Sequence, residues 1–122
     1  MNVNRKHIHE WGYDQALMNY LFYGTDELLQ TEVNSACASD MMSDVLAFVK
    51  DQAVLVTGLC NAQVVRTAEM MDMVCIVLVR GKRPDAAMLK LAEERRIVML
   101  SSPYRMFGAC GLLYQAGLKT EG

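Results

Sequence analysis

Three short runs of apolar residues constrain the fold of this chain more than any other feature. They are Val54-Leu55-Val56-Thr57-Gly58, Cys75-Ile76-Val77-Leu78-Val79 and Ile97-Val98-Met99-Leu100. Each run is unbroken rather than alternating, the pattern of a strand covered on both faces. Each is also followed by residues with helical periodicity. Beyond Gly58, Asn61 is placed to cap a helix in which Val64, Val65, Ala68 and Met71 share one face. Beyond Arg80-Gly81, Pro84 and Asp85 open a helix with Met88, Leu91 and Ala92 as its apolar stripe and Lys90, Glu93, Glu94 and Arg95 toward water. Ser101, Ser102 and Pro103 then start a last helix carrying Met106, Phe107, Cys110, Leu113 and Tyr114, with Gly117 as its C-cap. Successive strand–helix units require a parallel sheet with helices on its faces and right-handed crossovers. The predicted fold is α/β: a three-layer αβα sandwich around a mostly parallel sheet.

The residues upstream are less regular. Thr31–Cys37 predicts a further strand, and Ser43–Lys50 a short helix with a Ser cap and an acidic first turn. Asp40 and Asp44 flank Ser43 and read as capping residues rather than an acid–base pair. Near the start, Ala16, Leu17, Tyr20 and Leu21 fit one face of a helix, and Gly24-Thr25-Asp26 a turn. Trp11, Tyr20, Phe22 and Tyr23 crowd a short stretch that either packs on its own core or docks on a partner subunit. Met41 and Met42 are the other candidates for an adaptable contact surface, with Met70 and Met73 left over from the core pattern. The chain thus divides into an N-terminal arm over 1–30, an αβα domain over 31–118 and a tail over 119–122.

Composition narrows the function. A chain of 122 residues, 52% hydrophobic, suits one domain that needs no metal or disulfide staple. A net charge of −2 does not suit non-specific binding to nucleic acid, which runs on clustered Lys and Arg. No apolar run approaches the ~20 residues of a membrane span, and no apolar h-region follows the basic start, so the expected location is the cytoplasm. Cys37, Cys60, Cys75 and Cys110 form no C-x-x-C pair and read as reduced thiols packed as small hydrophobes. His7 and His9 with Glu10 read as a solvated group rather than a metal site, and no cofactor is expected.

In open parallel sheets, ligands sit beyond the carboxyl ends of the strands. Here those ends carry Thr57, Gly58 and Asn61, then Arg80, Gly81 and Lys82, then Ser101 and Ser102. Helix N-termini and the basic side chains there suit a phosphate or carboxylate. The same residues serve equally as helix caps and a solvated basic turn. No G-x-x-x-x-G-K-[ST] loop, G-x-G-x-x-G turn or G-x-S-x-G elbow is present, and neither histidine lies in the regular αβ portion, so no catalytic residue is assigned.

From Thr31 to Leu118 the chain resembles the DRTGG domain. Ser39-Asp40-Met41-Met42-Ser43-Asp44-Val45 resembles the D-L-L-S-D-V stretch of stand-alone members. Val54–Gly58 with Asn61 and Ala68, Ile76–Asp85, Ile97–Ser102 and Tyr114–Leu118 follow in the family's order. The family's Asp-Arg falls at Leu59-Cys60 and its Thr-Gly-Gly at Val79-Arg80-Gly81, so only Gly81 is kept. The resemblance implies the three-layer fold of the N-terminal domain of HPr kinase/phosphorylase. It implies a regulatory, dimerising module rather than a catalyst, with stand-alone copies linked to redox and hydrogenase metabolism. The leading expectation is a non-catalytic homodimer. The alternative is a sensor of a nucleotide or other phosphorylated metabolite.

Overall fold

The structure, a computed structural model, describes residues 7–47 and 53–118. The three apolar runs form β3 (Val54–Thr57), β4 (Cys75–Leu78) and β5 (Val98–Ser101), each buried along its whole length. They pair in parallel, Val54 beside Cys75 and Cys75 beside Val98. The strand expected at Thr31–Cys37 is shorter and starts later than expected: β2 is Ala36–Ala38, parallel to β3 with Ala38 beside Val56. A fifth strand, β1 (Tyr20–Tyr23), runs antiparallel to β5, so the sheet order is β1-β5-β4-β3-β2.

The parallel strands follow one another in space without reversal, so right-handed crossovers put their helices on one face. These are α3 (Met42–Val45), α4 (Ala62–Met70) and α5 (Ala86–Arg95). Val45, Val64, Val65, Ala68, Met88 and Ala92 accordingly share one core with Leu55, Ile76, Leu78 and Met99. The other face is covered by α1 (Ile8–Gly12) and α6 (Met106–Gln115), through Ile8, Trp11, Ala109 and Leu113 against Val54, Val56, Val77 and Leu100. The short α2 (Asp26–Leu29) adds Leu29 to that core.

Local chemistry sets the boundaries. Asn61 and Asp85 cap α4 and α5 by accepting from the amides of Val64 and Met88. Gly117, with φ 115°, closes α6: the amides of Gly117 and Leu118 reach the carbonyls of Tyr114 and Leu113. This is the Schellman pattern.

Several expectations are corrected. Residues 16–21 do not form a helix: Leu17 and Met18 enter the core through a turn, and Tyr20–Tyr23 is a strand. The alternation of Leu21 toward one core and Phe22 toward the other explains this. The expected arm is therefore built into the sheet and core over residues 7–30. The helix expected at Ser43–Lys50 runs over Met42–Val45 with no Ser cap, because the Ser39 hydroxyl accepts from the Met41 amide and sets the turn; residues 48–50 lie outside the described residues. The last helix starts at Met106, not at Ser101, because Ser101 and Ser102 continue the ladder, Ser102 donating to the Leu78 carbonyl at 2.8 Å. Met73 is buried rather than left over for a surface.

Candidate functional site

The carboxyl ends of β2, β3, β4 and β5 open toward the same edge. A crevice forms in such sheets where neighbouring loops leave in opposite directions. That point lies between β4 and β5: the chain after β4 goes to α5 on one face, and the chain after β5 goes to α6 on the other. The crevice is closed by its own backbone. The amide of Arg80 donates to the Tyr104 carbonyl and that of Gly81 to the Ser102 carbonyl, both at 2.7 Å. Arg80 and Gly81 have φ of 58° and 64°, and the Lys82 amide returns to the Val79 carbonyl. This tight turn with two left-handed central residues is the place where Gly81 is needed. Ser101 and Ser102 are buried beneath it, and the Ser101 hydroxyl has no hydrogen-bond partner. The amides of Arg80 and Gly81 are therefore committed, and the two serines face no solvent.

One strand over, the site is built differently. The carboxylate of Asp40 accepts from the Gly58 amide at 2.6 Å and from the Thr57 hydroxyl at 3.1 Å. The same hydroxyl accepts from the Leu59 amide at 3.1 Å. An internal anion thus sits at the end of β3, where an anionic ligand was expected. The guanidinium of Arg80 lies over this point, with Nη2 3.1 Å from the position a Cβ on Gly58 would take and Asp40 Oδ1 3.5 Å from it. Arg80 and Lys82 are exposed and make no ion pair among the described residues. Asp40, Arg80, Lys82 and Asp85 all act electrostatically on Cys60, whose thiol is nonetheless pushed above its ordinary pKa because burial outweighs the two cations.

Of the expected ligand residues, the structure thus brings together Thr57, Gly58, Arg80 and Lys82. Asn61 is engaged in capping α4, and Gly81, Ser101 and Ser102 form the closed crevice. Asp40, read from sequence as a helix cap, is the residue that organises the site.

The expected contact residues scatter. Trp11 is fully buried and is no surface residue. Tyr20 stacks on Phe22 with ring centres 4.6 Å apart, and the Arg83 guanidinium lies 5.0 Å from the Tyr20 centroid. Tyr23 and Met42 pack against the core, while Met41 is exposed. His7 faces Glu10 at 2.8 Å and His9 the Leu29 carbonyl at 3.2 Å, which commits both rings to the start of the fold. The hydrogen bond with His7 holds the Glu10 carboxyl below its ordinary pKa. Sequence reasoning missed the outer face of α6, where Phe107 is the most exposed large apolar residue described. None of the described helices is long and apolar enough to cross a membrane.

The fold and the edge chemistry define a three-layer α/β domain with its switch point sealed. No family model and no curated protein matches the sequence. A solved structure does share the fold: the CBS and DRTGG domains of the regulatory region of Clostridium perfringens pyrophosphatase, complexed with the activator diadenosine tetraphosphate. It superposes with a TM-score of 0.70 at 14% sequence identity, over 97% of this chain and 52% of that one. This chain therefore spans about half the length of that structure, and its fold is DRTGG-like.

Proposed function

We propose that this chain is a non-catalytic regulatory module of the cytoplasm that works by self-association. The observation that carries this reading is the outer face of α6. The helix holds no charged residue between Met106 and Gln115, yet Phe107, Tyr114 and the preceding Tyr104 are exposed. A helix apolar all round is normally covered on every side. The regulatory role of the pyrophosphatase region with this fold supports the reading. Light scattering at micromolar concentration is the test: a mass of twice 13.7 kDa is expected, and 13.7 kDa overturns the proposal.

A second reading is favoured by Arg80, whose guanidinium hangs over Gly58 without an ion pair among the described residues. On this reading the module senses a nucleotide or other phosphorylated metabolite through Arg80 and Lys82, the ligand phosphate taking the place of the Asp40 carboxylate. The activator bound in the pyrophosphatase structure is of that chemical class. A thermal-shift screen against nucleotides tests it, since a ligand at 100 times its Kd adds ~2.7 kcal/mol. A shift lost in Arg80→Ala/Lys82→Ala is expected; no shift with any nucleotide, or one that the double variant keeps, overturns the reading.

A further inference from the structure

We propose that the second copy docks by packing α6 antiparallel against its own symmetry mate, with Phe107 of each copy seated in the groove beside α6 of the other. This rests on the self-association reading and adds where the second copy sits.

Phe107, Cys110, Gly111 and Tyr114 stand at i, i+3, i+4 and i+7, so they form one stripe of α6. Phe107, Gly111 and Tyr114 are turned away from Ala109 and Leu113, which face the core; Cys110, at the edge of the stripe, also packs against that core. Phe107 is 92% exposed, Tyr114 54% and Tyr104 42%. With ~200 Å² for a whole aromatic side chain, these three present about 400 Å² per copy. That is about half of the ~800 Å² per partner in a standard interface. The half-buried Cys110 within the stripe and the groove walls next to it add to this area.

The groove runs between α6 and the edge strand β2. Ala36, Ala38 and Val56 form its sheet side, and Cys110, Leu113 and Tyr114 its helix side. Its volume is about 180 Å³. An apolar cavity of ~150 Å³ accepts benzene, so a phenyl ring fits. The molecule thus carries an exposed phenyl knob and, one to two helical turns along the same helix, an apolar hole of matching size.

Symmetry joins the two. An antiparallel pairing that sets Phe107 against Tyr114 of the second copy sets Tyr114 against Phe107 of that copy, which is the reciprocity of a two-fold interface. The axis then passes between Cys110 and Gly111. Charges near such an axis meet their own copies, and this helix has none. A Cβ on Gly111 would meet nothing within 4 Å in one copy, so its outer side is open to a close approach of the second helix. Arg105, just before the helix, falls beside the C-terminal end of the opposing α6, where a cation is favoured.

Sedimentation equilibrium on the full chain tests the arrangement with wild type, Phe107→Asp and Met41→Asp. Phe107 and Met41 are both exposed, so neither substitution disturbs the core, and circular dichroism verifies the fold. The expected result is a wild-type dimer, at least ~30-fold weaker association for Phe107→Asp, the scale of a buried aromatic anchor, and no change for Met41→Asp. A dimer untouched by Phe107→Asp overturns the α6 arrangement and leaves self-association standing. A monomeric wild type overturns both.

Discussion

Replacing Asp40 by alanine tests how the carboxyl edge is held together. The carboxylate accepts from the Gly58 amide at 2.6 Å and the Thr57 hydroxyl at 3.1 Å. Gly58 is buried while Asp40 is exposed, so water replaces only part of what is lost. Hydrogen bonds to a charged group contribute ~1.5–3 kcal/mol, and a stranded buried donor costs ~1–3 kcal/mol. With partial replacement by water, a loss of about 1–2 kcal/mol is expected. For a domain of this size that lowers Tm by about 3–9 °C and the urea midpoint by about 0.5–1 M. The variant also leaves the Gly58 amide without its internal anion, beside an Arg80 guanidinium that makes no ion pair among the described residues. Inorganic phosphate should then raise the Tm of Asp40→Ala more than that of wild type. The assay is thermal and urea unfolding followed by circular dichroism, with and without phosphate. An Asp40→Ala variant that melts within about 1 °C of wild type refutes the claim that this carboxylate organises the carboxyl edge. Equal phosphate effects on both proteins refute the claim that it occupies an anion site.

Three further substitutions follow from the same structure. Asp72 ends α4 with φ 56°, so Asp72→Gly should stabilise by about 0.5–1 kcal/mol, seen as a Tm rise of a few degrees. The buried Ser101 hydroxyl has no partner, so Ser101→Ala should leave the urea midpoint unchanged or raise it, whereas Thr57→Val should lower it. Cys75 is fully buried, and burial pushes its thiol far above the ordinary range. The native state therefore keeps this proton where the unfolded chain loses it, so stability is full below the unfolded thiol pKa near ~8.5 and declines as pH rises above it. A scan of Tm against pH from neutral to alkaline should fall more steeply in wild type than in Cys75→Ala; parallel curves would contradict the linkage.

The strands β3, β4 and β5 were legible because burial on both faces leaves a continuous apolar run that few other structures tolerate. The edge strand β1 was not. Ala16, Leu17, Tyr20 and Leu21 satisfy a helical spacing, and what makes 20–23 a strand is a distant partner, with Tyr20 beside Ser101 and Leu21 beside Leu100. Helix α6 misleads for a different reason. Its faces are both apolar, so periodicity does not tell Leu113, which is buried, from Phe107, which is not. Thr57, Gly58 and Arg80 could be placed at the carboxyl edge from sequence, but their hydrogen bonds could not. The sealed crevice is made by backbone groups of Arg80, Gly81, Ser102 and Tyr104, which carry no side-chain signature. Asp40 did leave one trace. Once Ala38 is aligned with Val56, the residue two further on falls beside Gly58.

Amide hydrogen exchange of α6 as a function of protein concentration tests most directly whether the module self-associates and where. Residues 107–114 should exchange more slowly at high concentration than in dilute solution, while the opposite sheet edge at Tyr20–Tyr23 stays the same. Slowing confined to Tyr20–Tyr23, or no dependence on concentration anywhere, would contradict the account.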